Sequence, residues 1–64
     1  MKPMNLVIKD GKQTFTVNLN NVLYIATYEG GTHATIFFPG GRQLDVTLAA
    51  YQRALHDLHA RLAN

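Results

Sequence analysis

From Val22 to Phe38 the chain reads VLYIATYEGGTHATIFF. β-Branched and aromatic residues crowd both halves and Gly30-Gly31 separates them, which is the composition of two strands joined by a tight turn. Strict alternation sorts the side chains into two sets. Leu23, Ile25, Ala34, Ile36 and Phe38 form one and are expected to face a core, while Val22, Tyr24, Ala26, Tyr28 and Phe37 form the other. The second set is too apolar for an ordinary wetted surface.

On the N-terminal side of this hairpin, Asn5 to Lys9 (NLVIK) reads as a short strand and Asp10-Gly11 as a hairpin turn. Lys12 to Leu19 (KQTFTVNL) then alternates like a half-buried strand, with Phe15, Val17 and Leu19 facing the same way as Leu6 and Ile8. Asn20-Asn21 tolerates the tight backbone of a connection. On the C-terminal side, Pro39-Gly40-Gly41 makes a third turn into Arg42 to Val46, which adds Leu44 and Val46 to the inner face. Thr47 is placed to cap a helix over 48–63, whose apolar stripe is Leu48, Tyr51, Leu55, Leu58 and Leu62. Gln52, Arg53, His56, His59 and Arg61 stand opposite. The pattern predicts an α+β fold: an antiparallel sheet of about five strands in meander order, with one C-terminal helix packed on one face. The whole of 1–64 reads as a single domain, with 1–4 a flexible extension, 5–46 the sheet and 47–63 the helix.

Sixty-four residues bury little core, about 60% of the unfolded surface for a chain of this size. The absence of cysteine removes disulfides and thiolate metal cages as supplements. Oligomerisation is the usual remaining device. No apolar run approaches the ~20 residues of a membrane span, and no signal-peptide core is visible, so a cytoplasmic location is expected. The net charge of +2 fits a solubility role as well as a weak attraction to nucleic acid.

Chemistry-bearing residues do not assemble into a reactive site. His56 and His59 lie three apart on the helix and His33 sits beside the Gly30-Gly31 turn, but no third ligand is placed with the helical pair, so a solvated helix face accounts for them and no metal site is expected. With neither cysteine nor serine, and with Asp10, Glu29, Asp45 and Asp57 dispersed, no nucleophile or acid–base pair emerges. So small a fold is also expected to have hardly any room for a pocket of several hundred Å3. No enzyme activity, cofactor or small-molecule substrate is expected. The paired glycines open onto strands rather than a helix N-terminus, so they are turn glycines and not a phosphate loop.

Two binding surfaces remain. Tyr24, Tyr28 and Phe37, joined by Val7 and Val22 and diluted by Thr14, Thr16 and Thr35, form a broad, weakly charged face suited to a protein partner or a second copy of the chain. Lys9, Lys12, Arg42, Arg53 and Arg61 are the candidates for nucleic acid. In a meander Lys9 and Lys12 lie at one end and Arg42 at the other, so no basic groove is expected within one subunit.

Residues 8–58, IKDGKQTFTVNLNNVLYIATYEGGTHATIFFPGGRQLDVTLAAYQRALHDL, resemble the first half of a LytTR-type domain, the β-rich DNA-binding module of many bacterial response regulators. Val22 to Ala26 stands at that family's "I-x-Y-I-E"-like strand, with alanine where an acidic residue is common. Gly41 to Val46 stands at its "G-x-x-x-x-V" turn and strand, and Leu48 to Leu58 at its leucine-spaced helix. The resemblance implies a bacterial DNA-binding regulator. Counterparts of the family's second half are not found in these residues, so no DNA-contact residue is carried over. The spacing is also similar to that of small flagellar and swarming-motility proteins, which would imply an accessory role without DNA; size alone also fits a small inhibitor encoded by a mobile element. The leading expectation is a non-enzymatic, self-associating interaction module with a regulatory or accessory role.

Overall fold

The computed structural model describes residues 4–63. Its elements are β1 (Asn5–Asp10), β2 (Gln13–Asn18), a 3-10 turn (Leu19–Asn21), β3 (Tyr24–Thr27), β4 (His33–Phe37), β5 (Gln43–Thr47) and α1 (Leu48–Leu62). The fold is α+β, with five antiparallel strands in sequential order and the helix at the C-terminal end. The expected extension at 1–3 lies outside the described residues. Met4, expected to belong to it, is tied down: its carbonyl accepts from Leu19 N at 2.8 Å.

The first hairpin turns at Gly11-Lys12, one residue later than the expected Asp10-Gly11, because Asp10 is still paired with Gln13. Gly11 takes φ +63°, a backbone that a side chain would strain, and this suits the twist of the strands it joins. At the second turn, glycine is needed at position 31 for space, since a Cβ there would lie 2.9 Å from Tyr28 O. Between these hairpins the ladder breaks. Asn18 Oδ1 accepts from Asn20 N at 3.0 Å and Val22 N donates to Leu19 O at 3.3 Å, winding the chain into a 3-10 turn. The strands consequently divide into a two-stranded sheet, β1-β2, and a three-stranded sheet, β3-β4-β5, where the sequence suggested one continuous meander.

The core lies where these two sheets and the helix meet. Leu6, Ile8 and Val17 come from the first sheet, Ala34, Ile36 and Val46 from the second, and Ala54 and Leu58 from α1. The helix rests chiefly on β1 and touches β4 and β5. Its inward face keeps Leu48, Tyr51, Leu55 and Leu58 of the expected stripe, adds Ala54 and loses Leu62. Ala54 is buried to 4% exposure among Tyr51, Leu55 and Leu58, whereas Leu62 is 60% exposed.

Thr47 caps the helix as the sequence indicates, its Oγ1 accepting from Ala50 N at 3.4 Å. Three further bonds secure this end. Leu48 N donates to Thr32 O at 2.8 Å, and Asp10 accepts from Thr47 N at 3.2 Å and from Thr47 Oγ1 at 3.0 Å. The Asp10 carboxylate thereby joins the first hairpin to the helix N-terminus, where the helix dipole favours a negative charge.

Candidate interaction site

The outward face of the three-stranded sheet is fixed by register. Tyr24 stands opposite Phe37 and Ala26 opposite Thr35; across the other ladder, Phe37 meets Gln43 and Thr35 meets Asp45. Cross-strand neighbours of this kind come within contact of each other. The Tyr24 and Phe37 rings stack at a centroid distance of 4.5 Å and an interplanar angle of 25°. Tyr24 nevertheless stays 58% exposed. Next to this apolar end lies a polar one, where Thr35 Oγ1 donates to Asp45 Oδ1 at 2.6 Å and so satisfies the face's acidic group.

Strict alternation fails at the start of β3. Leu23 N donates to Phe37 O at 2.9 Å although Tyr24 is already the register partner of Phe37, so the ladder ends at Tyr24 and the residues before it leave the alternation of the strand. Val22, expected outside, packs against the core, and Leu23, expected in the core, is 62% exposed beside Tyr24. Of the five residues predicted for an interface, Tyr24 and Phe37 are therefore together. Tyr28 is 67% exposed in the turn after β3. Val22 is turned inward, and Val7 lies on the other sheet in β1. Leu23 is the residue that sequence reasoning missed, and the point where the ladder ends has no marker in the sequence.

The cations are arranged differently from the expectation. Lys9, Arg53 and Arg61 line one open groove of 520 Å3 between β1 and α1, together with Val7, Ala50, Ala54 and Asp57. Three of the five predicted basic residues are thus brought together within one subunit, and a concavity of several hundred Å3 exists where none was expected. Both follow from the helix resting on β1, with Arg53, Asp57 and Arg61 at i, i+4 and i+8 along its rim. Arg61 reaches across and donates from Nη2 to Asn5 O at 3.1 Å. Lys12 stays apart in the β1–β2 turn, and Arg42 lines a separate hollow with Asn21, Phe38, Pro39 and Gln43.

Among the described residues no group of three or more His, Cys, Asp or Glu side chains is placed to hold a metal ion. His56 Nδ1 lies 3.9 Å from Asp57 Oδ1 on the open helix surface. No helix among these residues is long and apolar enough to cross a membrane. No family model, no curated protein and no solved structure matches the chain.

Proposed function

We propose that the chain is a small, non-enzymatic protein-interaction module of the cytoplasm that associates with a second copy of itself through the outward face of β3-β4-β5 and serves a regulatory or accessory role. The observation that carries this reading is the Tyr24–Phe37 stack, which leaves Tyr24 more than half exposed beside an exposed Leu23. A protein of this size has little apolar material to spend on its surface, and a rigid aromatic pair next to an aliphatic side chain is the kind of anchor around which interfaces are built. On this face Thr35 Oγ1 already donates to Asp45 Oδ1, which meets part of the carboxylate's need for hydrogen bonds and leaves its charge in place, so the contact is centred on Leu23, Tyr24 and Phe37.

The test is a pair of substitutions, Tyr24→Asp and Phe37→Asp, followed by gel filtration and circular dichroism. Each is expected to give a folded species of smaller size, because each puts a charge into the desolvated contact. Unfolding by both would assign this face to the protein's own core and overturn the proposal.

A DNA-binding regulator, the role implied by the LytTR-type resemblance, is the competing reading, and the gathering of Lys9, Arg53 and Arg61 is the observation in its favour. Against it, Asp57 shares that groove, and the stacked aromatics lie on the other sheet, away from the cations a nucleic acid would need beside them.

A further inference from the structure

The groove between β1 and α1 holds a second, independent feature, an open strand edge. Leu19 N donates to Met4 O, which sets the phase of the β1–β2 ladder. Leu6, Ile8 and Asp10 stand in hydrogen-bonded pairs with Val17, Phe15 and Gln13, while Asn5, Val7 and Lys9 stand in the alternate pairs and direct their N–H and C=O groups to the opposite edge. That edge has no strand beside it. Arg61 takes the Asn5 carbonyl from the groove side, which shows that the groove and the edge run together. Among the described residues nothing pairs with the outward backbone groups of Val7 and Lys9.

We infer that this groove binds an extended acidic segment of another protein, added as a further strand along β1, with Arg53, Arg61 and Lys9 holding its carboxylates. Main-chain bonds to an exposed edge give affinity in this mode, and the lining side chains give selectivity. The lining supplies three cations against the single carboxylate of Asp57, over a floor of Val7, Ala50 and Ala54. A strand whose alternate residues are acidic matches both features. A second copy of this chain does not: its four acidic residues are spread over Asp10, Glu29, Asp45 and Asp57, and no strand carries more than one of them. A two-fold pairing of β1 edges would also crowd the cations of both grooves together. Nucleic acid would use the charge but leave the backbone edge unused.

The inference stands apart from the aromatic face, and its test separates the two. A fluorescent peptide alternating glutamate and valine is titrated with the protein and read by anisotropy, beside the same peptide N-methylated at alternate residues in each of the two phases, a lysine–valine counterpart and a DNA duplex. Saturable binding of the glutamate peptide is expected, with a loss of at least about tenfold for one N-methylated phase, for the lysine peptide and for Arg53→Glu/Arg61→Glu. Val7→Pro removes an outward N–H and no ladder bond, so it is expected to fold and to lose binding to a similar extent; should it unfold, the N-methylated peptides decide. Tyr24→Asp is expected to bind the peptide unchanged, whatever it does to the oligomer. Absence of binding, indifference to N-methylation in both phases, equal binding of the lysine peptide, or displacement of the peptide by the duplex at lower concentration would each overturn the inference.

Discussion

Asp10 shows how much one side chain does in so small a protein. Its carboxylate accepts from both the backbone and the hydroxyl of Thr47, a residue 37 positions away, while the same hydroxyl accepts from Ala50 N. Asp10→Ala leaves the Thr47 groups of a half-buried site without that partner, and is expected to lower the unfolding free energy by about 1.5 to 3 kcal/mol in urea titrations. A change within about 0.5 kcal/mol would mean that water replaces the carboxylate at no cost. The sequence suggests Asp10 as half of a turn with Gly11, whereas it closes β1 opposite Gln13; its bond to Thr47 is not legible at all, because nothing local encodes a contact across the whole fold. The outward placement of Leu23 is hidden for a different reason. Alternation is a rule about an unbroken ladder, and Leu23 N and Tyr24 share Phe37 as partner. The two placements predict an inverted pair of effects: Val22→Ala costs about 1 kcal/mol or more, through lost packing against the core, whereas Leu23→Thr changes monomer stability by less than about 0.5 kcal/mol. Equal costs at the two positions would contradict this placement of the side chains.

At the scale of elements, the helix was the most legible part of the chain. Its cap at Thr47 and its span agree with the periodicity, the structure ending it at Leu62 rather than at 63. Of its expected stripe, Leu48, Tyr51, Leu55 and Leu58 face the core and Leu62 does not, while Ala54 joins them. Leucines carry the strongest apolar signal, so the stripe was extended to Leu62, while Ala54, the residue that seats the helix on β1, is too weakly apolar to register. Packing decides the matter. Ala54→Leu is expected to destabilise by about 1 to 3 kcal/mol, through overpacking at a position that is only 4% exposed, and Leu58→Ala by about 2 to 5 kcal/mol. Leu62→Ala is expected to fall within about 0.5 kcal/mol. Thermal melts of the three variants check the order, and a large loss at Leu62 would show that the last turn is docked after all. The placement of the groove rests on this same seating. With the helix on β1, Arg53 and Arg61 stand beside Lys9, and sequence spacing alone does not predict which strand a helix will choose.

For the whole molecule, the strand count, antiparallel pairing and C-terminal helix were legible because turn residues and periodicity are local signals. The division into two sheets was not, because Asn18 and Asn20 act by turning the chain and their composition looks like any connection. The division has a consequence for function: a three-stranded sheet that buries one side against β1, β2 and α1 presents its other side, with Leu23, Tyr24 and Phe37, to solvent. Eight buried residues make a small core, and covering that face in a dimer would add apolar burial that one chain cannot supply. The most direct measurement is the solution mass by light scattering at low and high salt. The account predicts a mass at least twice the 7.1 kDa of one chain, unchanged by salt because the contact is apolar. A monomer at both salt concentrations, or an assembly that dissociates as salt rises, would contradict it.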